Sequence, residues 1–511
     1  MAVTLSDYNS SLQSREELFC HDLPSAPLAG MGKILVTGAS GYIGGRLVPE
    51  LRARGYKVRV MVRAPSPEYQ ELWPDVEIVA ADALESDQLK IALKDIDTAY
   101  YLIHSLLLGR KEFVAADIQA AVNFRIAAQE NHIKRIIYLG GLGETQTRLS
   151  SHLQSRIQVA EELKKGKVPV TTLRAAIIIG SGSASYEIIQ HLVKRLPVIL
   201  IPRWAMTKCQ PIGIRDVIKY LVGVLEIPAT SGGSYDIGGK DILSYRDMLK
   251  IRAGLLNKKR FFIPFFSFLP LYSYVGGLIT PIPAPITRSL MEGLKNEVVC
   301  QNNAIRHYLP FDPLTYKEAI IRAMNREEQD RIYTRWSDAY PPAHELALKL
   351  NELKVGPQYT NTYSLLTQND ASSLFKCICT IGGKEGWFSN NWVWRLRGAI
   401  DKILLGVGAA RGRKSRTTLR INDVIDYWRV EDLQKDARLL LRAEMKLPGK
   451  AWLEFKIQDE SSQRRLSIIA YYHPHSFLGK VYWYAFLPFH QFLFNSLIKQ
   501  IENRSCLGQA G

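Results

Sequence analysis

Residues 34–44, Ile34-Leu35-Val36-Thr37-Gly38-Ala39-Ser40-Gly41-Tyr42-Ile43-Gly44, carry an apolar run into three glycines set three apart, and a helical pattern opens at Arg46-Leu47-Val48. A strand that ends in such a turn and feeds a helix is the βα unit that holds a dinucleotide. Gly38 permits the tight bend, Gly41 lets backbone approach a pyrophosphate, and Gly44 lets the helix pack against the strand. The helix dipole and its first N–H groups then face the phosphates.

The next strand pattern, Val58-Arg59-Val60-Met61-Val62, ends at Arg63. An Asp or Glu there would accept from ribose hydroxyls. A guanidinium instead pairs with a 2′-phosphate, so the residue predicts NADP(H) as the preferred cofactor, with NAD(H) admissible; a solvated surface arginine is the plainer alternative.

Apolar runs at 33–38, 58–62, 76–80, 97–103, 135–141 and 170–179 alternate with amphipathic stretches, which predicts an α/β fold of the Rossmann type: a doubly wound parallel sheet with helices on both faces. Strand three ends in Ala81-Asp82-Ala83. Asp82 there either accepts from an adenine amino group or caps a helix. Strand four ends in Tyr101-Leu102-Ile103-His104-Ser105, which puts His104 at the carboxyl edge of the sheet, where ligands bind in such folds. The expected cofactor site is thus Gly38, Ser40, Gly41, Tyr42, Ile43, Gly44, Arg63, Asp82, Ala83 and Ile103. Gln210-Pro211-Ile212 suggests a strand returning to that sheet, followed by a helix capped by Asp216.

At 511 residues the chain exceeds one hydrophobic core. Its formal net charge of +17 favours anionic partners. No helix-turn-helix or zinc-finger pattern accompanies the basic residues, so no specific nucleic-acid partner is expected. Six cysteines form no disulfide framework, which points to a reduced, cytoplasmic setting. Cys377 and Cys379 read as two residues on one strand face. His473 and His475 lack an acidic or thiol partner nearby, so no metal site is expected.

Residues 1–30 are polar and mixed, and are expected to be a disordered extension; 31–325 carry the dinucleotide-binding domain with a substrate or lid lobe. Phe261–Thr280 is apolar, preceded by Lys258-Lys259-Arg260 and interrupted by Pro264 and Pro270, which argues against a membrane span and for a lid or interfacial segment. Residues 326–360 read as a linker. Beyond it, strands near 374–381, a helix at 392–405, strands at 418–430, 437–446, 451–457 and 465–472, and a helix at 480–503 predict an α+β helix-grip domain (START/Bet v 1-like) over 361–505. Trp387, Trp392 and Trp394 either line its pocket or fill its core. The basic turn Arg411, Arg413, Lys414 and Arg416 is either a solvated loop or, with 261–280, a peripheral contact with an anionic membrane.

Thr37-Gly38-Ala39-Ser40-Gly41-Tyr42-Ile43-Gly44, Tyr101–Ser105, Tyr138-Leu139-Gly140-Gly141-Leu142-Gly143 and Gln210-Pro211-Ile212 together resemble atypical short-chain dehydrogenase/reductases, in the subgroup of NDUFA9-like and NmrA-like proteins. Trp387-Phe388, Trp392-Val393-Trp394-Arg395, Asp426-Tyr427-Trp428-Arg429-Val430 and Leu447-Pro448-Gly449 look like the DUF2867 domain that follows such domains. The family pairs Tyr and Lys four residues apart after strand five, where the lysine eases proton transfer by the phenol. Here His152 and Arg156 stand at that spacing, and Gly140–Gly143 replaces the usual serine. The resemblance implies an NAD(P)H-dependent oxidoreductase acting on a small lipophilic carbonyl, enone or quinone-like substrate, with His152 as proton donor, Arg156 orienting the ribose and His104 nearby. The alternative it implies is an inactive NADP(H)-binding redox sensor or assembly and scaffold protein.

Overall fold

The computed structural model describes residues 18–63, 67–104, 112–143, 150–265, 269–328, 335–336, 350, 353, 356–383, 385–411, 413, 419–460 and 463–507. The chain divides into two compact units, residues 1–272 with 288–342, and residues 273–287 with 343–511.

In the first unit, β1 (Lys33–Thr37), α1 (Gly44–Ala53), β2 (Val58–Val62), α2 (Pro67–Leu72), β3 (Glu77–Ala80), α3 (Ser86–Ala92), β4 (Ile96–Tyr101), α4 (Glu112–Glu130), β5 (Arg135–Gly141), α5 (Ser151–Lys164) and β6 (Val170–Ala175) alternate as expected. A later helix, α6 (Ile214–Glu226), precedes β7 (Ser234–Ile237). The seven strands pair in the order β7-β6-β5-β4-β1-β2-β3, all parallel. Alternation along β1 splits the core into two layers. Ile34 and Val36 pack with Leu47 and Leu51 of α1 and Leu221 of α6, whereas Leu35 packs with Leu89, Phe124 and Leu163 of α3, α4 and α5. Strand order reverses between β1 and β4, so a crevice opens at their carboxyl ends.

Three expectations for this unit are corrected. Residues 18–30 are not a free extension: Glu50 of α1 accepts the N–H groups of Phe19 and Cys20, and Cys20 and Leu23 join the core. Residues 1–17 lie outside the described residues. Ile212–Gly213 does not return to the main sheet but pairs with Ile178–Ile179, and Pro211 before it has no N–H to lend to a ladder. The seventh place goes to β7. Finally, Asp216 is not the cap of α6; the N-cap is Gly213, and Asp216 sits in the first turn with Oδ2 accepting from Leu314 N at 2.9 Å.

The apolar 261–280 stretch is two structures. Phe261–Phe265, with Pro264 inside it, pairs in parallel with Val198–Pro202 in the first unit. Leu269–Ile279 is a helix whose residues from Ser273 onward belong to the second unit, where Lys402 Nζ donates to the carbonyls of Gly277, Leu278 and Thr280 at its end.

The second unit runs β8 (Tyr359–Thr367), α7 (Ala371–Ile378), α8 (Asn391–Ile403), β9 (Val424–Ile425), β10 (Trp428–Gln434), β11 (Arg438–Ala443), β12 (Gly449–Glu460), β13 (Gln463–Pro474) and α9 (Phe477–Leu507). Its six strands form one antiparallel sheet, β8-β13-β12-β11-β10-β9. One strand, two helices, a meander and a long closing helix make the helix-grip layout. Trp483 of α9 stacks on Tyr472 of β13, and Phe494 packs against Tyr363 of β8. Residues 374–378 are helical rather than extended, and 379–380 form a turn: Asp370 caps Ser373 N at 2.9 Å and Leu374, Phe375 and Ile378 bury one helical face. Cys377 is therefore inside α7 and Cys379 is its C-cap, not a strand pair.

Candidate active site

The glycine turn behaves as its spacing demands. Gly38 has φ +62°, and a Cβ there would lie 2.7 Å from Leu102 O. Gly44 is tighter still, since a Cβ would run into Gly38 O and sit 2.7 Å from Ala39 Cα. At Gly41 the only atom near an added Cβ is Gly38 O, at 3.1 Å. Gly38 and Gly44 are thus required by the chain itself, while Gly41 opens onto space. Ile43 is the N-cap of α1 and supplies no side-chain cap, and no acid lies in the first turn. An uncapped helix start beside an open glycine suits an anionic diphosphate. Tyr42 faces away from that role: its ring lies under Arg46, 4.1 Å from the guanidinium, and a Cβ on Gly180 would touch its hydroxyl.

Thr37 ties this turn to the neighbouring strand end. Its Oγ1 donates to Tyr100 O at 2.9 Å and accepts from Leu102 N at 3.0 Å. Two residues beyond Leu102, His104 begins a polar chain. His104 Nδ1 lies 3.0 Å from Asp117 Oδ2 on α4, and His104 Nε2 lies 3.2 Å from His152 Nδ1 on α5. Ser155 Oγ, one turn along α5, donates to the same Asp117 oxygen at 3.1 Å. Asp117 and Ser155 are buried and were not anticipated; their only sequence trace is a polar residue within an apolar helix face.

Burial, reinforced by Arg156, lowers the pKa of His104, and the Asp117 carboxylate only partly opposes it. His152 is pushed well below the usual 6.5 by burial, by His104 and by Arg156. With both rings neutral the hydrogens are assigned. A carboxylate only accepts, so His104 carries its proton on Nδ1; His104 Nε2 is then an acceptor, and His152 donates from Nδ1. His152 Nε2 is left with the lone pair. At rest this nitrogen accepts a hydrogen bond.

Arg156 is held at the end of β5. Its Nη2 donates to Leu139 O at the end of β5, its guanidinium lies 5.0 Å from the Tyr138 ring centre, and Tyr138 Oη donates to Arg156 O at 3.0 Å. Arg63 follows β2, is exposed, and lies within electrostatic reach of Asp82. Asp82 closes an Asx turn, Oδ1 accepting from Leu84 N at 2.9 Å, while Glu85 is the N-cap of α3, so the capping role is excluded for Asp82. Ala83 is buried, its carbonyl held by Asn123 Nδ2 at 3.1 Å, and Ile103 packs against the core beside it. Among the described residues no group of three or more His, Cys, Asp or Glu is arranged to hold a metal.

In the second unit Trp387 and Trp394 are core, stacked 4.0 Å apart, with Trp387 Nε1 on Asp426 Oδ2 at 2.9 Å. Trp392 is exposed. Arg411 is no solvated contact: it is buried against Glu444 at 2.6 Å, and Arg413 donates to Cys379 O and Ile381 O. Lys414 and Arg416 lie outside the described residues.

The model of the NmrA-like family matches residues 31–295, just over half of the chain. The chain belongs to the NmrA-like family. This NmrA-like protein also matches, over residues 355–497, the model of DUF2867, a protein family of unknown function. It is 30% identical over 117 residues to the 3-beta-hydroxysteroid dehydrogenase of Mycolicibacterium neoaurum, covering 21% of this chain and 31% of that protein. Over 225 residues it is 24% identical to NADH dehydrogenase (ubiquinone) 1 alpha subcomplex subunit 9, mitochondrial, of Dictyostelium discoideum, with 42% and 61% covered. Photosystem II assembly factor Ycf39 of Trieres chinensis is 20% identical over 251 residues, 48% of this chain and 76% of that one. The chain therefore spans under two thirds of the first two relatives. No helix among the described residues is long and apolar enough to cross a membrane.

Proposed function

We propose that this NmrA-like protein is an NAD(P)H-dependent oxidoreductase of the atypical short-chain type, preferring the phosphorylated cofactor and acting on a lipophilic carbonyl, enone or quinone-like substrate. The observation that carries the reading is the Asp117–His104–His152 chain, fixed to the strand end that also touches Gly38. The residues present fit a dinucleotide: the open face of Gly41 and the uncapped start of α1 would hold the diphosphate, and Arg63 a 2′-phosphate. When bound, the nicotinamide supplies or takes a hydride. The protein's part is proton handling. His152 Nε2 takes a proton from a substrate hydroxyl in the oxidising direction; in reduction the ring first takes a proton from solvent and gives it to the carbonyl oxygen. Asp117 and His104 hold the tautomer that makes this possible.

Calorimetric titration with NADPH and NADH tests the cofactor, with Arg63→Ala expected to weaken NADPH roughly 10- to 100-fold and leave NADH unchanged. Equal affinity of the unaltered protein for both would remove the NADP preference. A second reading is favoured by the lost Tyr/Lys pair together with the assembly-factor relative: a dinucleotide-binding sensor or scaffold without turnover. Binding of NADPH with no oxidation across a panel of hydrophobic ketones, enones and quinones would select it.

A further inference from the structure

We propose that the second unit docks on a bilayer carrying anionic lipid through the outward faces of α8 and α9. On α9, Phe477, Leu478, Tyr484 and Phe492 are 77%, 71%, 61% and 64% exposed. On α8, Trp392, Leu396 and Ile403 are 62%, 53% and 60% exposed, at a spacing that sets them along one helix side. The helices are neighbours: Asn390 Nδ2 donates to Ser496 Oγ at 2.8 Å, and Trp394 and Phe494 pack ring to ring. Two adjacent apolar stripes on a water-soluble surface mark an interaction site.

The charge pattern selects the partner. Between Glu385 and Asp423 the sole acid is Asp401, which is buried and accepts from Gly408 N and Lys446 N. Between Glu460 and Glu502 there is none. Arg395, Lys480 and Lys499 are exposed on the same two helices. An aromatic face with cations and a single acid, Glu502 in the last turns of α9, matches the boundary between acyl chains and anionic headgroups. A second copy meeting this face would bring Arg395, Lys480 and Lys499 together with only Glu502 to pair them. The contact is interfacial, not spanning, since the other side of α9, through Trp483, Phe494 and Leu497, is buried. On α8 it adjoins the 273–280 part of the segment to which the sequence pointed, since Lys402 Nζ donates to Gly277 O and Tyr274 Oη to Ile403 O.

Co-sedimentation of the full-length protein with phosphatidylcholine vesicles, with and without phosphatidylserine, tests the proposal. Binding is expected to require phosphatidylserine and to fall with added salt. The double variant Phe477→Ser/Phe492→Ser should weaken it roughly ten-fold or more, and Lys480→Glu should lower only the phosphatidylserine-dependent part. Unchanged near-ultraviolet circular dichroism would show that the variants fold. Absence of binding to either vesicle, binding indifferent to the double variant, or a dimer in sedimentation velocity that the double variant dissolves while vesicles stay unbound would each overturn it.

Discussion

His104 Nε2 lies 3.2 Å from His152 Nδ1, so two imidazoles from different elements share one hydrogen, and Asp117 behind them decides which atoms carry it. Asp117→Asn offers His104 an amide that can donate as well as accept. The tautomer order is then lost while the buried volume is kept. We expect dinucleotide affinity to be unchanged and turnover to drop by roughly 10²- to 10⁴-fold. Nitrogen chemical shifts give a readout free of any substrate: His152 should show a protonated Nδ1 and a bare Nε2 in the unaltered protein, and a mixture in Asp117→Asn. An Nε2–H tautomer in the unaltered protein would refute the arrangement.

The same burial fixes a pH dependence. Both histidines titrate below their ordinary 6.5 in the fold, so the unfolded chain binds more protons as pH falls through that value. Stability is complete above 6.5 and declines as acid is added. His152→Gln removes one of these groups and should flatten the decline of the melting temperature. Proton resonances of the His152 ring should hold still on descending to about pH 6. A titration midpoint at or above the ordinary histidine value would defeat this prediction.

The three glycines separate folding from binding. Gly44→Ala forces a Cβ into Gly38 O and Ala39 Cα, both backbone, and should lower stability by about 1–3 kcal/mol. Gly41→Ala meets only Gly38 O at 3.1 Å, so the protein should fold nearly as well. Its methyl fills the space a diphosphate needs, and NADPH affinity should fall at least roughly ten-fold. If Gly41→Ala bound NADPH normally in calorimetry, the turn would have another purpose.

These outcomes mirror what could be read from residue order alone. Gly38 and Gly44 act through local backbone, so the bend and the close packing they allow were legible, as was the one-turn spacing of His152 and Arg156. Asp117 was not: it meets His104 across 13 residues and Ser155 across 38, contacts that only the packing of α4 against α5 and the chain leaving β4 creates. Arg156 points to Leu139 O because Tyr138 lies beneath it, again a matter of neighbours. In the second unit, Leu374-Phe375 and Ile378 suit a strand or a helix, and the deciding signal was the cap at Asp370. Strand β8 alternates apolar and polar residues, yet lay across the assumed linker boundary. β7 has four residues, too few for periodicity to show.

Arg411 misled for a related reason, and it supplies the last test. Its sequence neighbours suggest a solvated basic turn, but its neutralising partner Glu444 lies 33 residues away. Glu444 also accepts from Arg429 Nε at 2.5 Å, with Arg442 Nη2 3.7 Å distant. Burial pushes this carboxyl up, but Arg429, Arg411 and Arg442 outweigh it and hold it at about 2. A depressed carboxylate contributes stability above its ordinary 4.5, lost as pH falls from there toward 2. Glu444→Gln takes from Arg411 and Arg429 the carboxylate they share, while Arg442 keeps Glu431 at 3.9 Å, and should cost about 3–5 kcal/mol. Urea unfolding followed by the fluorescence of Trp387, Trp394 and Trp428 reads the second unit, and the variant should also lose the acid-sensitive step below pH 4.5. A loss under about 1 kcal/mol would mean that water or other groups already neutralise the arginines, and that Glu444 is not what holds β10 to β11.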